Sequence, residues 1–317
     1  MNKRGLMYGV LTMIALVLTG CGTTDNEAEN DSVETTQEVY ELNGTDETNQ
    51  EDTNTIEDTQ ESTNHTEAQY TTSVNQELID EHETLYVGIL DDYENGDCTL
   101  NNPLIVQDPY NRAPLSAIVL FDTDEPMQIT VTVEVETEET TLSHTQSGYE
   151  TSHEIMVLGL YPERANEVII SGETEEGTLN ESTLTIETNA VPEEMLGFTL
   201  REAQPELMAE GLTFLSPSRA YPAAVDSNGD VRWYSSIMTS HQLKRLDNGL
   251  LLLTTMEEER EEYDHLTEMD MLGRVHQSIT VDMNNVLNSA PLHHDTIILP
   301  NGNYLALLHD GSDKYVE

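Results

Sequence analysis

Positive charge is what this sequence has least of. Only 12 lysines and arginines stand against 61 aspartates and glutamates in 317 residues, a formal net charge of −49. Nucleic-acid binding needs clustered Lys and Arg against phosphates, so that class is excluded. Docking through a basic patch on an anionic membrane is excluded with it. Apolar residues make up 37 % of the chain, too few to fill two complete cores in the roughly two domains that ~150 residues each would allow. Part of the chain is therefore expected to stay unpacked. Cysteine is confined to Cys21 and Cys98, which rules out a disulfide framework. No Gly-rich phosphate loop, serine elbow or His-Glu-x-x-His helix occurs.

What is present begins with an export signal. Lys3 and Arg4 precede an apolar run from Gly5 to Leu18, which is shorter than the ~20 residues of a spanning helix and suits a secretory signal. The small pair Thr19-Gly20 before Cys21 resembles a bacterial lipobox, in which the cysteine is lipidated and becomes the new N-terminus. The alternative is an ordinary signal peptide with an incidental cysteine. Residues 1–20 are thus expected to be a lipoprotein signal peptide, and the mature protein an extracytoplasmic one anchored to the cell membrane through lipid at Cys21, since several acyl chains hold stably where one is marginal. Cys98 is then alone, with no adjacent histidine to activate it, and reads as a structural or neutral thiol.

Residues 22–80 hold 17 acidic residues and no Lys or Arg, among runs of Thr, Asn, Ser and Gln. Such a segment cannot bury enough apolar surface to offset its ordering entropy, and like charges extend it. It predicts a disordered acidic tether over 21–83. The remaining residues, 81–317, still carry 44 acidic against 10 basic residues. That surface suits a salty or alkaline habitat, or serves ordinary solubility.

From about Leu85 short β-rich runs alternate with turn residues. Tyr86–Leu90, Ala117–Phe121, Ile129–Val135, Ile155–Leu158, Val168–Ile170 and Leu184–Ile186 predict the strands of an N-terminal β-sandwich domain over 84–190. A different rhythm follows. Asp226-Ser227-Asn228-Gly229 has a partner in Asp270-Met271-Leu272-Gly273, 44 residues on, and Asp247-Asn248-Gly249 has one in Pro300-Asn301-Gly302, 53 residues on. Strand, turn and strand at that repeat predict blades of a β-propeller over 195–317. The fold class is therefore all-β, a sandwich followed by an incomplete propeller. Propellers close with about four to eight blades, and this stretch has room for two or three.

For chemistry, His293 and His294 stand out in Leu292-His293-His294-Asp295-Thr296. They precede a strand where an innermost blade strand would begin, beside the central channel. A histidine with a neighbouring carboxylate can act as nucleophile or general acid and base; an ordinary surface pair is the plainer reading. Period-two alternation would let one of the two face the channel. The cluster lacks the spacing to place three ligands around a metal ion. Met256 to Tyr263, with its run Glu257 to Glu262, reads as a solvated loop between strands.

Several of these motifs together carry a resemblance. Asp108-Pro109-Tyr110-Asn111-Arg112-Ala113-Pro114-Leu115-Ser116-Ala117 and His153 through Pro162 resemble the N-terminal β domain of bacterial arylsulfate sulfotransferases, and Asp226-x-x-Gly229-x-x-Arg232-Trp233-Tyr234, Lys244-Arg245-Leu246-x-Asn248-Gly249 and His293-His294-Asp295 through Asn303 are similar to the opening blades of that family's six-bladed propeller. The resemblance implies transfer of a sulfuryl group from a phenolic sulfate ester to a phenol through a sulfohistidine, with no cofactor and no phosphoadenylyl sulfate. It implies that His294 or His293 is an early-blade catalytic histidine assisting acid–base chemistry or stabilising sulfuryl oxygens. The family's covalent nucleophile lies in later blades, so this stretch alone is expected to be inactive. A homodimer through the N-terminal domain is also implied. The rival expectation is a non-catalytic surface lipoprotein whose β-sandwich is an interaction module.

Overall fold

The computed structural model describes residues 16–18, 70–134, 140–195, 197, 199–204, 207–209, 211–217, 219–257, 263–283 and 292–308. In chain order its elements are β1 (Leu16–Leu18), β2 (Tyr70–Val74), α1 (Gln76–Asn95), β3 (Leu104–Gln107), β4 (Ser116–Val133), β5 (Leu142–Thr145), β6 (Glu150–Leu158), β7 (Ala165–Glu173) and β8 (Leu179–Glu187). There follow β9 (Thr213–Leu215), β10 (Ala223–Val225), β11 (Val231–Tyr234), β12 (Thr239–Arg245), β13 (Leu251–Thr255), β14 (His265–Met269), β15 (Val275–Met283), β16 (Leu292–Ile298) and β17 (Tyr304–Leu308). The fold is mostly β, as expected for a sandwich followed by an incomplete propeller.

The sandwich turns on β4. Its first half, from Ser116, pairs with β3 and β6; after a register shift between Asp122 and Met127 its second half pairs with β5 and β7. Two expected strands, Ala117–Phe121 and Ile129–Val135, are thus halves of one strand that passes from one layer to the other. Alternate residues Val119, Phe121, Ile129, Val131, Ile155, Val157, Val168, Ile170, Leu184 and Ile186 fill the core between the layers.

Residues 86–90, expected as a strand, lie in α1. Leu78, His82, Leu85 and Ile89 recur at helical spacing, and Asn75 caps the first turn by accepting a hydrogen bond from the Leu78 N–H at 3.2 Å. The helix lays Leu85, Ile89 and Leu90 on Ile118 and Leu120, which explains why β4 is buried on both faces there. The disordered reading of 21–83 is corrected for residues 70–83, which form β2 and the start of α1. Gly88 sits inside the helix with nothing within 4 Å of an added Cβ. Gly88→Ala is expected to raise stability by about 0.5–1 kcal/mol, read from urea midpoints.

Beyond the sandwich, β12 to β15 form a four-stranded antiparallel meander, and β2 adds a fifth strand along the outer edge of β15. A small sheet, β9 to β11, precedes it. After it comes the β16–β17 hairpin, with β1 on the other edge of β17. Four turns in this part of the described chain repeat one design, which the sandwich turn from Thr174 through Gly177 to Thr178 also has. In each, the first residue exchanges backbone hydrogen bonds with the fourth and fifth: Asp226 with Gly229 and Asp230, Leu246 with Gly249 and Leu250, Asp270 with Gly273 and Arg274, Leu299 with Gly302 and Asn303. Each glycine has φ between +83° and +91°, the left-handed position that a three-residue hairpin loop requires. A side-chain oxygen completes every turn, from Asp226, Asn248, Asp270 or Asn301.

Buried polar links join the sandwich to the blades. Arg112 makes a bidentate ion pair with Glu257 at 3.1 and 2.6 Å. A hydroxyl ladder then runs across the blade through Thr255, Thr267 and Ser278. Glu257, read from the sequence as part of a solvated loop, is therefore a buried anchor, because its guanidinium partner is far away in sequence. Arg112 holds the Glu257 carboxyl below the usual carboxylate range against the upward push of burial. Residues 258–262 of that loop lie outside the described residues.

Candidate active site

Strands β12 and β16 lie side by side and share an irregularity. On β12, Thr239 pairs with Thr255 and Leu243 with Leu253, so Ser240, His241 and Gln242 together oppose Thr254. On β16, Leu292 pairs with Leu308 and Thr296 with Ala306, so His293, His294 and Asp295 together oppose Leu307. Two extra residues on each strand make a bulge, which re-aims side chains. The middle residue of each bulge is a histidine in the left-handed region, His241 at φ 65° and His294 at φ 50°, a conformation that costs a non-glycine residue energy and clusters at functional sites.

The bulges bring the two rings together. Their centroids are 4.5 Å apart with planes tilted by 47°, and both side chains are exposed. Lys244, three residues beyond His241, forms an ion pair with the Asp295 carboxylate and donates to the Thr296 carbonyl at 2.7 Å. It spans the two histidine-bearing strands and fixes their spacing. The His241 imidazole is held below its ordinary proton affinity by loss of water, then by His294 and by the positive charge of Arg219. In a chain so poor in positive charge, the His241 and His294 rings lie in a cationic corner whose charge is that of the Arg219 guanidinium and of a Lys244 ammonium already paired with Asp295. A groove of about 610 Å³ runs between β12 and β16 from Lys244 and Thr296 to the turns at Asn248 and Pro300; its walls do not include either ring.

His294 is thus placed in a constellation, and His293 is placed on β16 by its backbone. The bulge interrupts the period-two alternation on which the choice between them would rest. Cys21 lies outside the described residues. Cys98 is a half-buried free thiol just after α1. Among the described residues no group of three or more His, Cys, Asp or Glu is placed to hold a metal ion, and no helix is long and apolar enough to cross a membrane.

Sequence reasoning missed His241. The signal was there: His241 and His294 are separated by the 53 residues that also separate Gly249 from Gly302, so the repeat maps one histidine onto the other.

The loop 108–116 and the segment 226–234 have structural duties. Asp108 Oδ1 accepts from the Ala113 N–H at 2.9 Å, and Ser236 bonds the backbone of Asn111 and Arg112. Arg232, fully buried, pairs with Asp226 at 2.9 Å and donates to the Gly159 and Thr140 carbonyls, each at 2.8 Å. The chain's one tryptophan, Trp233, is buried and donates to the Met271 carbonyl. These motifs weld the sandwich to the blades and leave the cationic corner on their surface.

Comparison with known families gives two adjoining matches. Residues 104–189 match a family model described as arylsulfotransferase Ig-like domain, and residues 199–317 match one described as arylsulfotransferase (ASST). No curated protein matches the chain.

Proposed function

Since the chain belongs to the arylsulfotransferase family through both of these domains, we propose that it takes part in moving a sulfuryl group from a phenolic sulfate ester to a phenol, through a sulfohistidine and without phosphoadenylyl sulfate. The observation that carries this reading is His294, held in a left-handed bulge against His241 beside Lys244 and Arg219.

In the first half-reaction a histidine nitrogen attacks sulfur and the S–O(aryl) bond breaks. The phenolate leaves with the electron pair and takes a proton. In the second half, the phenol oxygen attacks the same sulfur, the N–S bond breaks, and the phenol proton passes to the site. Both halves need an acid or base beside the aryl oxygen and positive charge at the sulfuryl oxygens. His294 serves the first need and the surrounding cations the second. The family's covalent nucleophile is a different histidine, in a later blade. The proposal extends to location: lipid at Cys21 holds the enzyme outside the cytoplasm, and the cleavage before Cys21 takes β1 from the edge of β17.

The product of the complete gene, incubated with 4-nitrophenyl sulfate and phenol, is expected to release nitrophenolate, followed by absorbance. Absence of release, together with no acid-labile sulfuryl adduct on histidine, overturns the reading in favour of a non-catalytic surface module. His294→Ala is expected to lower kcat by about a hundredfold, the scale of one general acid–base group. His293→Ala, assayed beside it, should have the smaller effect; the opposite order would move the role to His293.

A further inference from the structure

The cationic corner contains one residue that neither the family resemblance nor the motif search assigned. We propose that His241 is a positioning residue for His294, packed against it so that the two imidazoles work as one acid–base unit holding a single proton. This rests on the reading of His294 given above.

The argument begins with the backbone. An unstrained β12 would carry its alternation through Thr239 to Leu243, with no residue at positive φ. Instead the strand takes two extra residues and puts a bulky residue in the left-handed region. It does so at the position where β16 does the same, one repeat later. Two independent distortions end with two rings in contact. The β12 bulge is not a general feature of its sheet, because β13, β14 and the first six residues of β15 pair without an insertion of this size.

Next come the charges around the pair. From β12 there is Lys244, engaged by Asp295 of β16 and by the Thr296 carbonyl. From the segment before β10 there is Arg219, whose charge reaches both His241 and the buried Tyr263. A proton on one ring therefore meets a neighbouring imidazole and a guanidinium, which disfavours a second proton. Loss of water and these charges favour the unprotonated form of His241, with the His294 ring against it. Sulfuryl transfer to and from a phenol uses protonated and unprotonated imidazole in turn: the proton given to the departing phenolate is recovered from the incoming phenol, and the count balances over one cycle.

Two measurements test this. In the 317-residue chain, the imidazole resonances of His241 are followed through a pH titration in the native protein and in His294→Gln. Loss of the neighbouring ring should shift the His241 midpoint to higher pH, with Trp233 fluorescence confirming an unchanged fold. An unmoved midpoint overturns the proposal. This readout needs no turnover, so it stands or falls apart from the sulfotransferase assay.

In the product of the complete gene, His241→Gln should lower kcat/KM by roughly tenfold and displace its pH profile, with the melting temperature unchanged. His241→Phe, which keeps an aromatic ring against His294 but cannot hold a proton, should displace the profile in the same way. A profile identical to native in both variants, with only a lowered melting temperature, would mark His241 as a packing residue and overturn the assignment.

Discussion

Replacing Arg232 by methionine is expected to destabilise the protein by about 3–5 kcal/mol, the cost of breaking a buried ion pair from one side. Arg232 has no exposed surface, and its partner carboxylate on Asp226 is almost as dry. Methionine fills much of the same volume, so the loss comes from groups left without a partner. These are the Asp226 carboxylate and the carbonyls of Gly159 and Thr140. The guanidinium also lies over the Tyr161 ring at 3.9 Å and donates to its hydroxyl at 3.1 Å. Because Gly159, Thr140 and Tyr161 belong to the sandwich and Asp226 to the next hairpin, the variant should loosen the junction between them. Urea unfolding followed by Trp233 fluorescence measures this directly, since Trp233 adjoins Arg232 in sequence. Adding Asp226→Asn keeps a side-chain oxygen for the Asn228 and Asp230 N–H groups and removes the stranded charge. The double variant should therefore be less destabilised than the two single losses added together. Strict additivity would mean that the pair contributes nothing as a pair.

Acid should release α1 from the blade. His82 lies on the buried face of the helix, stacks on Tyr110 with ring centroids 5.3 Å apart, and accepts the Val275 N–H at Nδ1 over 2.9 Å. Burial, helped by the charge of Arg112, pushes its imidazole down to about 4. In the unfolded chain the same ring titrates near 6.5, so between these values the unfolded state binds more protons. The contribution of His82 is fully present above pH 6.5 and is lost as pH falls through 4, by about 3 kcal/mol in total. The Arg112–Glu257 pair, whose carboxyl is held below the usual carboxylate range, adds its own loss only at the acid end of this window and beyond. His82→Asn keeps an acceptor for Val275 but cannot titrate. Its urea midpoint should fall less than native between pH 7 and 4, while at pH 7 it loses the stacking on Tyr110. Parallel curves for the two proteins would remove His82 as the source of acid sensitivity.

What could be read from the sequence follows the range of the interaction that made each element. The turns at Gly229, Gly249, Gly273 and Gly302 are local, and the spacing between them announced a repeat. Strands β6, β7 and β8 were legible because one face packs and the other meets solvent. The helix was not, because Tyr86-Val87-Gly88-Ile89-Leu90 taken alone has the composition of a strand, and only the longer series from Leu78 through Ile89 shows its period. Both halves of β4 were seen, but their continuity was not, since the polar Asp122-Thr123-Asp124-Glu125 between them looks like a turn. Buried charge was the least visible. Arg112 finds Glu257 145 residues away, and Arg232 finds Gly159 73 residues away; no local pattern distinguishes either from a solvated surface charge. His294 was singled out by a neighbouring histidine and aspartate, whereas His241 stands between serine and glutamine and emerges only when the repeat is carried back along the chain.

The strand that edges the blade also sets how the molecule bears load. β2 runs antiparallel to β15, with Tyr70 beside Met283 and Val74 beside Ile279. A pull on the chain ahead of Tyr70 therefore meets the ladder at one end and opens its bonds in sequence, which takes far less force than shearing them all at once. The peel stops at Asn75, whose backbone N–H is tied to the Ser278 carbonyl and whose side chain both caps α1 and bonds His265. The five residues of β2 are thus expected to open before such a force reaches α1 and the blade behind it.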